Sequence, residues 1–404
     1  MLHFLVHPSI LKGVAMKFTS HPMPARARRL TAIAGALTAA LLAGSAWADI
    51  KIGVLLPLSG KGASYGQHQE VAMKMAQQDL EKTGIKGEKV QFITYDTRGE
   101  NAEAISLTRK LIYNDKVLAI IGPFFSAECE VAFPIAVQNK TPIITASSAK
   151  PGIATKNRPW AFRNALSSDQ MNGYLLDVWL KRNPVKSVVI LTDVKDAFTK
   201  VDGTVVFPAE LKEKNVQVLD NISYQTGDID YSAQVTKAKG LNPEGILVAG
   251  LYNEGGNIVR EIRKQGMTQP IVGALGMSET KFLDIAGPAG DGTTVVNPFW
   301  PGDPDPKVHA WAVEYEKRAK AVPGNTAALM YDTIMLTKSC IEKSGVTNKP
   351  DDLAPDRERI KDCLSQVKDV PGIAGPMSFN ANGDAQLLPT VLVAKGGKWQ
   401  AIKE

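Results

Sequence analysis

The feature that most restricts the possible fold is an alternation of short, continuously apolar runs with amphipathic segments. The apolar runs occupy residues 50–56, 117–122, 141–145, 187–193, 245–250 and 270–272. Uninterrupted runs of this length are typical of strands that are buried on both faces. The segments between them carry apolar residues at helical spacing, as at positions 71, 72, 75, 76 and 80. With few hairpin signals, this alternation predicts an α/β fold of doubly wound parallel sheets with helices on both faces.

Residues 26–48 have the order of a secretory signal. A basic cluster at residues 26–29 precedes an apolar run at residues 30–42, and the segment ends in Ala46, Trp47 and Ala48. This order predicts export and removal of the leader after Ala48. The pair Arg28-Arg29 leaves twin-arginine export open beside an ordinary basic region. No later stretch reaches the roughly 18 uninterrupted apolar residues of a membrane span.

Removal of this leader changes the charge balance of the chain. The full sequence has 47 basic and 41 acidic residues, and the leader contains five of the basic residues and none of the acidic ones. A nearly neutral mature chain gives no electrostatic reason to bind nucleic acid or an anionic membrane. About 356 residues remain, which exceeds one ordinary core and predicts two lobes.

The three cysteines allow at most one internal disulfide. Cys340 and Cys363 are the better pair, because both lie in helical patterns near the C-terminus. Cys129 is expected to be a small buried apolar residue. Export makes a disulfide chemically possible.

Catalytic motifs are missing from the mature chain. Only His68 and His309 remain after leader removal, and both are predicted to be surface residues without a neighbouring nucleophile or metal-ligand spacing. A Gly-x-Ser-x-Gly elbow, a phosphate loop and a Cys-x-x-Cys pair are absent from the sequence. We therefore predict a binding protein with no cofactor and no metal. An exported hydrolase that uses only carboxylates stays open as an alternative.

Parallel sheets of this kind bind ligands at the carboxyl ends of their strands. Ser126 follows the run that ends at residue 122 and starts a predicted helix, with Glu128 in the first turn. We therefore predict Ser126 as the N-cap, as the receiver of a ligand carboxylate together with the free backbone N–H groups, or as both at once. Ser147 and Ser148 follow the next run and leave the same choice between a turn residue and a ligand contact.

Five segments of the mature chain together carry a family resemblance. They are Ile52–Gly60, Ser64–Gly66, Tyr95-Asp96, Ile121–Pro123 and Phe379–Asp384. In this order, and over nearly the whole mature chain, they resemble the periplasmic leucine/isoleucine/valine-binding proteins, which are the solute receptors of ABC importers. The resemblance implies a periplasmic protein, expected to be a monomer, that delivers a small molecule to permease subunits in the inner membrane.

The resemblance also implies two lobes joined by three hinge crossovers. Residues 49–166 plus 298–377 would form one lobe, and residues 167–297 plus 378–404 the other. The ligand would lie in the cleft between them, and the lobes would close over it.

Ligand contacts follow from the same resemblance, position by position. Ser126 matches the serine that receives the ligand carboxylate, and Ser147 and Ser148 match a loop of small residues. Ala149 stands where the family often has a threonine. The expected aromatic walls are Tyr65, Phe124, Phe125 and Phe198.

The positions that hold an amino group in the family differ here. Leu251, next to Tyr252, replaces a tyrosine, and Leu275 replaces the acid that neutralises the substrate ammonium. A buried unpaired ammonium costs several kcal/mol. The predicted ligand is therefore a carboxylic acid without an amino group, with an aromatic acid favoured.

Two alternatives stay open at this point. An amino acid could bind if another acidic residue supplied the counter-charge, and the candidates are Asp193, Asp196, Glu254 and Glu279. The same two-lobed fold could also report its ligand to a signalling partner instead of an importer.

Overall fold

The computed structural model describes residues 49–403. The predicted leader and its cleavage after Ala48 lie outside these residues. Within residues 49–403, no helix combines the length and the apolar character that a membrane crossing requires.

The first part of the chain forms a five-stranded parallel sheet. In the order in which they lie side by side, its strands are β2 (Val90–Asp96), β1 (Ile50–Leu56), β3 (Ala119–Ile121), β4 (Ile143–Thr145) and β5 (Ala161–Arg163). The connections contain helices α1 (Ala63–Thr83), α2 (Asn101–Lys110) and α3 (Ser126–Gln138). The order reverses between β1 and β3, so the loops after these two strands diverge and leave a crevice at their carboxyl ends.

A second sheet of seven strands contains the middle and the end of the chain. Its order is β12 (Lys398–Ala401), β11 (Thr390–Lys395), β10 (Thr294–Asn297), β9 (Ile271–Gly273), β8 (Gly245–Ala249), β6 (Ser187–Asp193) and β7 (Gln217–Tyr224). Its connections contain α4 (Ser168–Arg182), α5 (Ala197–Val201), α6 (Phe207–Glu213), α7 (Ser232–Gly240), α8 (Tyr252–Lys264) and α9 (Thr280–Ala286).

Three further helices follow β10, namely α10 (Pro306–Ala319), α11 (Asn325–Lys343) and α12 (Leu353–Ser365). Helices α10 and α11 pack against α1, so this segment returns to the side of the first sheet. The chain therefore passes between the two sheets three times, after β5, after β10 and before β11. The boundaries predicted after residues 166, 297 and 377 fall in these connections, and the division into two lobes stays a prediction.

The parallel arrangement predicted from the sequence holds for most of the second sheet but not for one edge. Strand β11 pairs antiparallel with both β10 and β12. Gly396 and Gly397 form the two-residue turn of the β11–β12 hairpin, with φ values of 57° and 72°. Glycine adopts this left-handed backbone without steric cost, so the Gly-Gly pair is a hairpin signal that apolar runs do not report.

All six predicted apolar runs contain or overlap a strand, and the strands that were missed have identifiable properties. The strands β2 and β7 lie at sheet edges and are mostly half-buried, so they lack a continuous apolar run. The strands β5 and β10 are fully buried and have only three and four residues, but the equally short strands β3, β4 and β9 were found, so length does not explain why these two were missed. Burial on both faces is the property that an apolar run reports, and the edge strands β2 and β7 do not have it.

The cysteine predictions are confirmed. A disulfide joins Cys340 in α11 to Cys363 in α12, with a Cα–Cα distance of 5.5 Å. Cys129 in α3 is free and buried.

Candidate functional site

One cavity lies between loops of the first sheet and loops of the second. Ten of the eleven residues predicted to contact a ligand line it: Tyr65, Phe124, Phe125, Ser126, Ser147, Ser148, Ala149, Phe198, Leu251 and Leu275. The eleventh, Tyr252, packs edge-on against Tyr65 with ring centres 4.9 Å apart. The volume of this cavity that is open to the centre of a water molecule is about 50 Å³, so the cavity suits a small molecule. The role of these residues as ligand contacts stays a prediction.

Two serine hydroxyls form one polar end of the cavity. Ser126 Oγ and Ser148 Oγ are 2.8 Å apart, and both side chains are buried. Two hydroxyls that share one hydrogen bond retain one proton, which can be donated to a third group. An acceptor such as a carboxylate oxygen is the complement of this pair.

The predicted N-cap role of Ser126 is wrong. Phe125 occupies the N-cap position, and Ser126 is the first residue of α3. The backbone N–H of Phe125 donates to Glu128 Oε2 at 2.9 Å, so the glutamate supplies the side-chain acceptor at this helix start. The serine hydroxyl is therefore not needed by its own helix.

Burial raises the pKa of Glu128 to about 7, against the opposing effects of Thr97, the Phe125 N–H and Lys61. At neutral pH a large part of this carboxyl is therefore protonated. The start of α3 does not present a full negative charge behind Ser126, which leaves the helix N-terminus suited to an anion.

Thr145 and Arg163 hold in place the loop that carries Ser147 and Ser148, which we call the second serine loop. Thr145 Oγ1 donates to Pro123 O at 2.8 Å and accepts from the N–H groups of Ser147 and Ser148. Arg163 Nη1 donates to the carbonyls of Ser148 and Lys150. The position of the Ser148 hydroxyl is thus set by buried groups that do not line the cavity themselves.

Aromatic rings form the wall beside these serines. Tyr65 and Phe124 are stacked with ring centres 4.8 Å apart, and Phe124 meets Phe125 edge-on at 4.9 Å. The Tyr65 hydroxyl donates to Gly276 O at 2.7 Å, and burial raises the pKa of Tyr65 well above its usual value. The wall is therefore neutral, flat and apolar, which suits another ring or a flat apolar body.

Two contacts join the two sides of the cavity through charged groups. Lys61 Nζ lies 3.0 Å from Asp196 Oδ2 and 4.6 Å from the centre of the Phe125 ring. Asp196 Oδ1 accepts from the N–H groups of Phe198 and Thr199 at the start of α5. Farther along α1, His68 Nδ1 lies 2.8 Å from Glu279 Oε1.

The four acidic residues considered as counter-charges for an amino group have other partners. Only Asp196 lines the cavity, and both of its oxygens are engaged as described above. Asp193 accepts from Thr226 and from backbone N–H groups, and Glu254 accepts from the N–H of Gly227. Glu279 Oε1 faces His68, while its Oε2 is buried without a hydrogen-bond partner among the described residues; Glu279 does not line the cavity. Asp196, the one of the four that lies on the cavity wall, has both oxygens engaged.

The prediction that His68 is a surface residue is wrong, because only 14 % of its side chain is exposed. His309 is exposed, as predicted. Burial by itself lowers the pKa of His68, but the hydrogen bond to Glu279 and the charge of that residue outweigh burial and raise it above 6.5.

This shift predicts a pH-dependent contribution to stability. Because the pKa is higher in the folded protein, the stabilisation is fully present below pH 6.5 and is lost as the pH rises through the folded-state value. We expect His68→Gln to flatten the stability curve above about pH 6.5. Urea midpoints measured across this range test it, with His309→Gln as the exposed control. Parallel curves for the native chain and His68→Gln would contradict the assignment.

Five residues of the cavity wall were not among the predicted contacts, namely Gly276, Ser278, Asn325, Thr326 and Asp196, the last of which was considered only as an alternative counter-charge. Asn325 and Thr326 are the first residues of α11. The preceding Pro323-Gly324 is a turn signal that could have located this helix start. Nothing in the sequence indicates that the helix start faces the cavity. Within residues 49–403, no group of three or more His, Cys, Asp or Glu side chains is placed to hold a metal ion.

Comparisons with known proteins agree with this architecture. The family model described as periplasmic binding protein matches residues 49–397. The Leu/Ile/Val-binding protein BraC3 of Rhizobium johnstonii is 28% identical over 375 residues, which cover 91% of this chain and 97% of that protein.

Solved structures show the same fold. A leucine binding protein LivK from Thermotoga maritima is 28% identical with a TM-score of 0.80, over 88% of this chain and 98% of that one. A solute binding protein from R. palustris in complex with benzoate is 19% identical with a TM-score of 0.79, over 88% and 96% of the two chains. The chain therefore belongs to the periplasmic binding protein family, in its leucine/isoleucine/valine-binding branch, whose members are exported substrate-binding proteins of ABC transporters and not enzymes.

Proposed function

We propose that this chain captures a small carboxylic acid without an amino group, preferably an aromatic acid, and delivers it to the permease of an ABC importer. The observation that carries the proposal is the composition of the cavity wall. A pair of serine hydroxyls with one available proton lies at one end, and stacked aromatic rings line the body. Leu251 and Leu275 line the same cavity, and by the family resemblance they stand where an ammonium would need polar or acidic partners.

Charge balance separates an organic acid from an amino acid. The carboxylate of either ligand would find Ser126, Ser148 and the start of α3. The ammonium of an amino acid would meet no unpaired acid on the wall, and leaving it unpaired in a closed cavity is costly. The neutral aromatic wall instead favours an apolar body.

Contacts across the cavity support capture by lobe closure. Lys61–Asp196, Tyr65–Gly276 and His68–Glu279 all join groups near β1 and α1 to loops of the second sheet. A ligand that touches both sides adds to these contacts and shifts the population toward the closed form. The closed form would be the one that the permease recognises.

The second candidate ligand is a branched-chain amino acid. The names of the relatives favour it, since BraC3 is a Leu/Ile/Val-binding protein and LivJ of Streptococcus pneumoniae was solved with isoleucine. The aromatic acid finds support in two structures of the same fold, which contain benzoate and 3,4-dihydroxy benzoic acid. The exported hydrolase is not retained, because the family consists of binding proteins.

Calorimetry on the purified mature chain separates the two candidates. We expect binding of benzoate and little heat with leucine, and we expect mass spectrometry of the co-purified molecule to find an organic acid. Tight binding of leucine would overturn the ligand class and leave the family assignment in place.

The residue-level test is Ser126→Ala. Loss of one charge-assisted hydrogen bond is expected to weaken binding of benzoate by about 1.5 to 3 kcal/mol, roughly tenfold to hundredfold. Ser232→Ala is the matched control, because Ser232 is likewise the first residue of a helix, α7, but lies away from the cavity. Equal affinity of the native chain and Ser126→Ala would exclude Ser126 as the carboxylate contact.

A further inference from the structure

The start of α11 forms a second polar end of the cavity. The N-cap residue Gly324 has no side chain with which to cap the helix, and Asn325 and Thr326 line the cavity. Thr326 is only 4% exposed, and its hydroxyl has no hydrogen-bond partner within the part of the chain that the structure describes. A buried hydroxyl without a partner is unfavourable, so its retention on the wall of a binding cavity points to a polar ligand group.

The helix start also restricts the kind of group that fits. The first backbone N–H groups of a long helix have no intrahelical acceptor and carry a partial positive charge. This environment favours an oxygen that accepts hydrogen bonds, and it disfavours a cation. Ser278, from the opposite side, lines the same cavity and adds another hydroxyl, whose oxygen accepts from Asn297 Nδ2 at 3.3 Å.

A nearby acid argues against a second carboxylate at this end. A Cβ built on Gly324 would lie 3.7 Å from Glu279 Oε2, so this carboxylate lies beside the start of α11. Its other oxygen, Oε1, pairs with His68, whereas Oε2 is buried and has no hydrogen-bond partner within the part of the chain that the structure describes, so it can accept a hydrogen bond from a ligand group. Repulsion by Glu279 disfavours a second anion. A neutral group that both accepts and donates hydrogen bonds meets all of these conditions.

We infer that the ligand is a hydroxy acid, with its carboxylate at Ser126 and its hydroxyl at Thr326 and the start of α11. The inference rests on the proposed function as a receptor for a carboxylic acid and specifies the substrate class of the same cavity. Given the aromatic wall, the hydroxyl is a ring hydroxyl. Thr326 is then the residue that distinguishes a hydroxylated acid from its unsubstituted parent.

The test compares ligands that differ only at this end. We expect the native chain to bind 3- or 4-hydroxybenzoate at least tenfold more tightly than benzoate, because a site that hydrogen-bonds a hydroxyl rejects the analogue that lacks it. Terephthalate, with a second carboxylate, and 4-(aminomethyl)benzoate, with a cation, are expected to bind more weakly than the better hydroxybenzoate. Tightest binding of either of these two would overturn the inference.

Variants at Thr326 complete the test by calorimetry. Thr326→Val keeps the shape of the side chain and removes the hydroxyl, so it is expected to weaken the binding of hydroxybenzoate about tenfold more than the binding of benzoate. Thr326→Ser retains the hydroxyl and is expected to bind like the native chain. An equal effect of Thr326→Val on both acids, or no effect on either, would overturn the assignment of Thr326.

The failure of this inference is distinguishable from failure of the proposed function. If Ser126→Ala weakens both acids and Thr326→Val does not discriminate between them, only the hydroxyl site is wrong. If the native chain binds none of these acids, both the proposed function and the hydroxyl site are wrong.

Discussion

Asp384→Ala is expected to lower the free energy of unfolding by about 3 to 5 kcal/mol, because it leaves a buried guanidinium without its counter-charge. Arg163 is fully buried, and its Nη2 lies 2.8 Å from Asp384 Oδ1. Burial lowers the pKa of Arg163 and raises that of Asp384, and each charge partly offsets the effect on the other.

The same substitution is also expected to disturb the ligand cavity. Arg163 donates to the carbonyls of Ser148 and Lys150, so the arginine that Asp384 holds also positions the second serine loop. The backbone of Arg163 in β5 also forms hydrogen bonds with Gly383 and Ala385. These two residues belong to the connection before β11, where the chain passes between the sheets for the third time. We therefore expect weaker binding of benzoate together with lower stability.

Urea unfolding measures the first effect and calorimetry the second. Asp284→Ala is the matched control, because the Lys281–Asp284 pair is exposed and such pairs contribute about 0.2 to 1 kcal/mol. An Asp384→Ala midpoint close to that of Asp284→Ala would show that Arg163 does not depend on this acid.

Leu275→Glu is expected to lower the affinity for benzoate by about 3 kcal/mol, roughly a hundredfold, because it places a like charge beside a bound carboxylate. Leu275 lines the cavity and begins the short 3₁₀ turn Leu275–Ser278. The same substitution supplies the acid that an ammonium requires, so the affinity for leucine is expected to increase. The two ligands should therefore respond in opposite directions.

Leu275→Gln separates charge from size. The glutamine has nearly the same shape as glutamate and no charge, so most of the loss for benzoate should be absent in this variant. Calorimetry of the three proteins with benzoate and with leucine gives the comparison. Unchanged benzoate affinity in Leu275→Glu would mean that the carboxylate binds elsewhere or that Leu275 does not face it.

The general position of the site could be predicted from the sequence, because it depends on a local rule. Buried strands appear as apolar runs, and ligands bind at their carboxyl ends, so the order of residues was enough to point to Ser126 and Ser148, whereas Tyr65 was selected through the family resemblance. The helix start at Asn325 could not be selected in this way. It follows no strand of the sheet directly, and its place at the cavity results from packing of α11 against α1.

Side-chain partners were the least predictable part. Ser126 looked like an N-cap because its sequence context is that of a helix start, yet Glu128 provides the acceptor and Ser126 turns to Ser148. His68 looked like a surface residue because its neighbours on α1 are partly polar, yet it meets Glu279. In both cases the partner is chosen by three-dimensional proximity, which local spacing does not report.

The sequence by itself determined the α/β class and the loops that contribute most of the cavity wall, because burial on both faces of a strand and helical spacing are local properties of the chain. It favoured Cys340 and Cys363 as a disulfide pair without establishing that they meet. Only the tertiary structure decided the antiparallel edge of the second sheet, the pairing of Lys61 with Asp196 and the approach of Tyr65 to Gly276. The last two contacts join residues separated by 135 and 211 positions. Contacts at such separations are set by how whole helices and sheets pack, and no periodicity of the sequence encodes them.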